Sequence, residues 1–378
     1  MYSETKRLEF LDSIRGLAAV AVLLSHTIGV FKWPTGFCNF IELPGINIFF
    51  DGKAAVAMFF VLSGFVLSRP YLVTVDGRPP RKVFLPTFYL RRITRIWLPW
   101  FFAFCASVVA QRFFFHTPAT VPPVTAWFSG FWQAPLNWGN FFRQCIFVLH
   151  DGRAQLLNQD WSLGVELKGS ALIPLFLLLV SGWRVVVMGL LGLALMLVFK
   201  TGQYYVSFMV GVLIAKHMDL WVRQVRGFSG VGKFFLLMGG FILYETSHVG
   251  VDIFGLAKYW RCLWVGTAAG CGLLLLACLS SRRIQGLLNH SLPVFLGRIS
   301  YSVYLLQFIV ILCVLPPLVR GLNLIGITQP FLLIPLTVAA SVLVTIAASV
   351  FSFQFVEKPC IALGHKLTTV IQNRLQKK

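Results

Sequence analysis

Acidic side chains are scarce in this chain. Only 13 Asp and Glu stand against 33 Lys and Arg, and charged residues of both signs make up 12% of its 378 residues. A soluble domain carries about 25% charged residues, so a water-exposed surface over most of the chain is excluded. Paired cysteines are also missing. The eight cysteines include no Cys-x-x-Cys, and Cys105, Cys271, Cys278 and Cys313 sit inside apolar runs, where a thiol behaves as a small hydrophobe. Neither a disulfide framework nor a metal site is expected. There is no internal repeat, no low-complexity tract, no lipidation motif, and no soluble stretch long enough for a second domain. A single membrane domain over 1–378 is therefore expected. Lys6 and Arg7 precede the apolar stretch 17–31, as in a signal peptide, but no small-residue cleavage site follows. That stretch is read as a retained first helix.

What the chain does have is apolar length. It is 57% hydrophobic, with a mean hydropathy of +0.77. Runs of about 20 apolar residues, the length that spans a bilayer, recur throughout. The expectation is an all-α, polytopic transmembrane bundle of about ten helices, at roughly 11–31, 54–68, 95–111, 166–181, 184–199, 204–216, 233–247, 262–279, 299–316 and 331–355. The sixth span is short, and the apolar stretch 138–149 is an interfacial helix or an extra span. A net charge of +20 suggests nucleic acid at first sight, but the basic residues lie at helix ends rather than in one basic domain. With the N-terminus in the cytoplasm, 23 of the 33 Lys and Arg fall on inside segments. These include Lys6, Arg7, Arg78, Arg81, Lys82, Arg91, Arg92, Arg95, Lys377 and Lys378. The positive-inside rule then puts both termini in the cytoplasm. The longest outside segment, about 112–165, holds Trp127, Trp132, Trp138 and Trp161, which are either interfacial anchors or a platform for a bound molecule.

An ionisable group inside a membrane helix is costly and marks function by default. The first helix carries three: Asp12, Arg15 and His26. Arg15 and His26 are eleven positions apart, so they share one helix face with a rise of roughly 16 Å between them. Asp12 lies one turn from Arg15 and can pair with it. The plain alternative is a structural ion pair and a packing histidine.

Arg15 and His26, with ten residues between them in LD-x-x-RG-LAA, resemble the opening signature of acyltransferase family 3. Later stretches follow in the family's order: FFVLSGFVLS at 59–68, RRITRIWLP at 91–99, WSLGVELKG at 161–169, LGRISYSVYLLQ at 296–307 and VEKP at 356–359. The resemblance covers nearly the whole chain. It departs at Gln307, where the family often has histidine, because a carboxamide can hydrogen-bond but cannot carry a proton. No C-terminal hydrolase-like domain of the kind some relatives carry is present.

The resemblance implies transfer of an acyl group, commonly acetyl, from cytosolic acyl-CoA to a hydroxyl of a glycan, lipid-linked or small-molecule acceptor, at the plasma (cell inner) membrane. Acyl-CoA is expected as donor substrate, with no permanently bound cofactor. His26 would act as base or transient acyl carrier, as neutral imidazole suits, with Arg15 and Asp12 on its helix face as further catalytic candidates and Glu166 to orient the acceptor or hold the histidine's tautomer. Arg91, Arg92 and Arg95 would bind the CoA phosphates, unless they are only inside positive charge. Trp161, Tyr301 and Gln307 are candidates for substrate contact. Glu166 otherwise reads as a helix-start carboxylate, Ser162 as a helix N-cap, and Ser63 with Gly64 as a close-packing pair. A multi-pass exporter of an acylated metabolite or lipid is the rival reading, but inverted repeats and broken helices, its usual marks, are not evident.

Overall fold

The computed structural model describes residues 8–73, 80, 83–114, 120–132, 138–146, 156, 157 and 159–376. Lys6, Arg7, Arg78, Arg81, Lys82, Lys377, Lys378 and residues 147–149 lie outside them. Among the described residues there is no strand, only one isolated antiparallel bridge between Phe31 and Val124. In a bilayer, backbone groups must bond within their own segment, which helices do.

The helices are α1 (Glu9–Ile28), α2 (Thr35–Ile41), α3 (Gly52–Leu72), α4 (Leu85–Phe113), α5 (Ala126–Ser129), α6 (Trp138–Cys145), α7 (Asp160–Leu179) and α8 (Arg184–Val198). They continue with α9 (Gln203–Gly227), α10 (Gly230–Tyr244), α11 (Thr246–His248), α12 (Trp260–Ser280), α13 (Arg282–Leu288), α14 (Ser291–Leu324), α15 (Pro330–Ser352) and α16 (Lys358–Gln376). All ten expected stretches are helical. Among the described residues, eight helices are long and apolar enough to cross a membrane. A ninth span results if α10 is joined to Thr246–Ile253 across a 40° bend. The tenth stretch is α8, whose 15 residues rise only about 22 Å against a hydrocarbon core of about 30 Å.

Two expectations about α7 are corrected. The backbone N–H groups of Ser162 and Leu163 both donate to the Gln159 carbonyl, at 3.1 and 3.2 Å, so the helix begins at Asp160. Ser162 is therefore inside the first turn and does not cap it. Glu166 lies well beyond the reach of the N-terminal dipole, which fades within the first turn.

The described residues form two compact units, one within Met1–Ala18, Pro44–Leu85 and Lys168–Arg298, the other within Ala19–Leu43, Pro86–Leu167 and Ile299–Lys378. In the first, lipid-facing helices gain nothing from burying apolar surface against each other, so close packing has to hold them. Glycines supply it. A methyl at Gly64 would overlap the Phe208 carbonyl of α9, and one at Gly211 would overlap the Val61 carbonyl of α3. Gly16 of α1 and Gly297 of α14 meet in the same way: a Cβ on Gly16 would strike the Gly297 backbone, and one on Gly297 would strike Asp12. Gly169 rests on the Phe208 ring. Cys271 is buried with its Sγ 3.8 Å from the Ala54 carbonyl, in keeping with its reading as a small hydrophobe.

The consequence is measurable. Gly64→Val forces backbone apart from backbone and is expected to destabilise the protein by about 1–3 kcal/mol or more. Gly189→Ala, in α8 with nothing within 4 Å of its new methyl, is expected to be neutral or to stabilise by about 0.5–1 kcal/mol. Melting temperatures of the purified variants in detergent test both. Equal effects at the two sites would show that close approach does not hold α3 on α9.

Candidate active site

In the second unit, the last turn of α1 presents His26. The chain after α1 then runs beside the segment before α5. Lys32 N–H donates to the Pro123 carbonyl (2.9 Å), Thr125 N–H to Val30 (2.8 Å), and the Thr125 hydroxyl to Gly29 (2.7 Å). This short pairing sets Trp127 over the histidine. The two rings stack at 5.8 Å between centroids with 24° between planes. Phe308 of α14 meets the imidazole edge-on at 6.0 Å and Trp127 at 5.8 Å, and Phe131 closes on Phe308 at 4.5 Å. Thr27 anchors the turn, with its hydroxyl 2.8 Å from the Leu23 carbonyl and 2.6 Å from Ser341 Oγ.

His26 thus stands in an aromatic slot, its ring only partly exposed. The side chain of Gln307 lies beside it. Gln307 is fully buried, and its Nε2 donates a long bond, 3.3 Å, to the Tyr304 carbonyl. Among the described residues, neither His26 Nδ1 nor Gln307 Oε1 has a hydrogen-bond partner. Buried polar atoms are paired in the great majority of cases, so two such atoms side by side suit a site that completes its bonds with a reacting molecule.

One turn back along α14, Tyr304 Oη and Ser162 Oγ lie 2.5 Å apart. The Ser162 hydroxyl also reaches the Gln159 carbonyl at 2.7 Å, and Gln159 Nε2 donates to the carbonyls of Tyr304 (3.1 Å) and Leu305 (2.5 Å). Trp100 Nε1 donates to Asp160 Oδ1 at 2.6 Å. This network fixes the start of α7 against α14 and α4.

A charged cluster surrounds Tyr301. Arg92 is buried, with Nη1 3.9 Å from Glu166 Oε1. The charges of Glu357, Glu166, Arg95 and Arg92 all act on the Tyr301 hydroxyl, which itself donates to the Ile96 carbonyl at 2.6 Å. Glu357, also buried, accepts from Ser302 at 2.8 Å. Arg91 points the other way on α4: it is exposed and its Nε donates to Thr368 Oγ1 at 3.2 Å.

The structure therefore gathers His26 with Gln307, and Arg92, Arg95, Glu166 and Tyr301 with one another. Trp161 is half-buried on the first turn of α7. Asp12 and Arg15, both half-buried, belong to the first unit, further back on the continuous helix α1. Sequence reasoning missed Trp127 as a ring partner of the histidine, the Gln159–Ser162–Tyr304 network, and Glu357. The last was within reach, since it is the acidic residue of VEKP beside an apolar run. Trp132, grouped with the possible anchors, is buried and donates to the Leu156 carbonyl at 3.0 Å. Trp138 is exposed, as an anchor would be.

Comparison with known proteins accords with these features. The chain is 25% identical over 173 residues to the peptidoglycan O-acetyltransferase OatA of Listeria monocytogenes, covering 46% of this chain and 24% of that protein. It is 29% identical over 205 residues to the O-acetyltransferase PaAT-1 of Phomopsis amygdali, covering 46% of this chain and 40% of that protein. The match thus spans less than half the length of either relative. No solved structure matches. The acyltransferase-domain model of acyltransferase family 3 matches residues 8–350, a range that holds His26, the arginines of α4, α7 and all of α14. The chain is a multi-pass membrane protein that belongs to acyltransferase family 3.

Proposed function

We propose that the protein moves an acyl group, acetyl in the first instance, from cytosolic acyl-CoA to a hydroxyl of a glycan or of another cell-envelope or small-molecule acceptor. The observation that carries the reading is His26, an imidazole held between Trp127 and Phe308 with an unpartnered buried nitrogen. The protein works in the plasma membrane with both termini in the cytoplasm, so that the basic loops face the donor.

Acyl transfer needs a base for the attacking hydroxyl. The neutral imidazole of His26 takes the hydroxyl proton as the oxygen bonds to the thioester carbonyl carbon. The tetrahedral intermediate collapses, the carbon–sulfur bond breaks, and the imidazolium returns its proton to the departing CoA thiolate. The result is one ester, one thiol, and an unchanged histidine. Gln307, which cannot shuttle a proton, orients the ring or the acceptor. An acyl-imidazole carrier is the two-step version of the same chemistry.

Arg91, Arg92 and Arg95 serve the donor in different ways. Arg91 is exposed and offers its guanidinium to CoA phosphates. Arg92 is buried against Glu166, so its charge sets the field around Tyr301. Arg15 and Asp12 of α1 stand nearer its N-terminal end, the cytoplasmic end in this orientation.

His26→Ala is expected to lower turnover per folded molecule by about 10²–10⁴-fold, with an unchanged size-exclusion profile and melting temperature. A histidine present only for packing would give the opposite pattern: lower stability and normal turnover in the surviving protein. Release of free CoA thiol from acetyl-CoA, measured with an acceptor extract, provides the assay.

The arginines should separate kinetically. Arg91→Ala is expected to raise the donor KM with little change in kcat, the signature of lost uniform binding. Arg92→Ala removes the buried guanidinium from its ion pair with Glu166, and breaking a buried pair costs about 3–5 kcal/mol. It is expected to lower the melting temperature before it changes KM. If both variants shifted only KM, the division of labour would be wrong.

A further inference from the structure

The first unit contains a cavity of about 700 Å³ away from any residue assigned above. Ile48, Phe241, Val249 and Leu263 contribute to its apolar wall, and Glu245 and Thr246 supply its polar side chains. Thr246 spends its hydroxyl on the Leu243 carbonyl at 2.6 Å. Glu245 is 4% exposed, and among the described residues neither of its carboxylate oxygens has a hydrogen-bond partner. Leaving such a group unmet in an apolar setting costs several kcal/mol.

The backbone singles out the same place. Glu245 ends α10, where the span bends by 40°, and the chain then passes through α11 into a π-helical turn at Val249–Ile253. Broken helices at membrane depth occur where they line a binding cavity, and π-turns are frequent at functional sites. The C-terminal end of a helix carries about half a negative charge, so α10 adds to the negative potential at Glu245.

The neighbouring charges fix the sign of the guest. Lys53 and His248 both turn to Asp252, at 3.6 and 3.2 Å, and Lys53 also lies over the Trp260 ring. Asp51 caps α3 by accepting from Ala54 N–H at 2.9 Å, its Oδ2 has no partner among the described residues, and its charge acts on Glu245 more strongly than the opposing charge of His248. At Asp51, burial pushes the carboxyl up from its ordinary range, and the Ala54 N–H, Lys53 and His248 oppose that push. An anionic head would meet the Glu245 carboxyl and a helix C-terminus, with Asp51 behind them. A hydroxyl head would bond to one oxygen and leave the charge uncompensated. A protonated amine answers both.

We propose that this cavity binds an amphiphile with a protonated primary amine, its ammonium against Glu245 and its hydrocarbon along Ile48, Phe241, Val249 and Leu263. The volume lies in the range of about 300–1,000 Å³ usual for small-ligand sites. The experiment uses the full chain in phosphatidylcholine nanodiscs, with n-octylamine and n-octanol as probes and a saturable rise in melting temperature as the readout. Octylamine is expected to bind about tenfold more tightly than octanol or better, as a hydrogen bond to a charged group predicts. Glu245→Gln is expected to bring the amine down to the alcohol's affinity and leave the alcohol unchanged. Ile48→Trp, which fills the cavity, should abolish saturable binding of both probes. Equal affinity for amine and alcohol in the unmodified protein would overturn the proposal without recourse to any variant, and so would undiminished amine binding by Glu245→Gln.

Discussion

A polar group inside hydrocarbon has no water to turn to, and most of this structure answers that constraint. The backbone answers it by being helical, and the hydroxyls of Thr27, Ser68, Thr94, Ser280 and Thr337 answer it by bonding back to carbonyls of their own helices. Side chains too long to turn back find partners on other helices: Trp100 with Asp160, Gln159 with the α14 backbone, Ser302 with Glu357, Arg92 with Glu166. Against that background the exceptions stand out. Among the described residues His26 Nδ1, Gln307 Oε1 and both oxygens of Glu245 are buried without partners, as are single atoms of Gln159, Asp160, Thr345 and Ser349. In a soluble protein such atoms often meet solvent, and the two proposals above rest on those of His26 and Glu245.

The same constraint explains which parts of the fold were legible in the sequence. A bilayer imposes a length on apolar runs, so every expected span is a helix. What hydropathy cannot see is the helix continuing past the hydrocarbon. α4 starts at Leu85, well before the apolar run, because Arg91, Arg92 and Arg95 are sound helix formers. α9 carries on to Gly227 beyond a break at His217, where φ is −106° and ψ 15°, at the end of its apolar stretch. α16 is amphipathic rather than apolar, so no window of hydrophobicity marked it.

The motifs were legible in a different sense. Four glycines within them prove to be points of close approach: Gly16 against Gly297, Gly64 against Phe208, Gly169 against the Phe208 ring. Tyr301 and Glu357 come from separate motifs and share one charged cluster. What the pattern could not disclose is which residues from outside the motifs join them. Trp127 lies in a segment with no periodicity, and it reaches His26 only because of backbone pairing between Gly29–Lys32 and Pro123–Thr125. Tertiary contacts of that kind leave no local trace.

The two unsatisfied sites differ in a way that separates their chemistry. His26 sits among the rings of Trp127 and Phe308 and the carboxamide of Gln307. Glu245 sits near the Asp51 carboxyl at the negative end of a helix, an environment that resists a second negative charge and favours a resident positive one. In the proposed mechanism His26 gains a proton and gives it back, and ends each turnover unchanged. On the two proposals, an aromatic slot for transfer and an acidic, apolar pocket for occupancy are distinct solutions to the same problem of polarity without water.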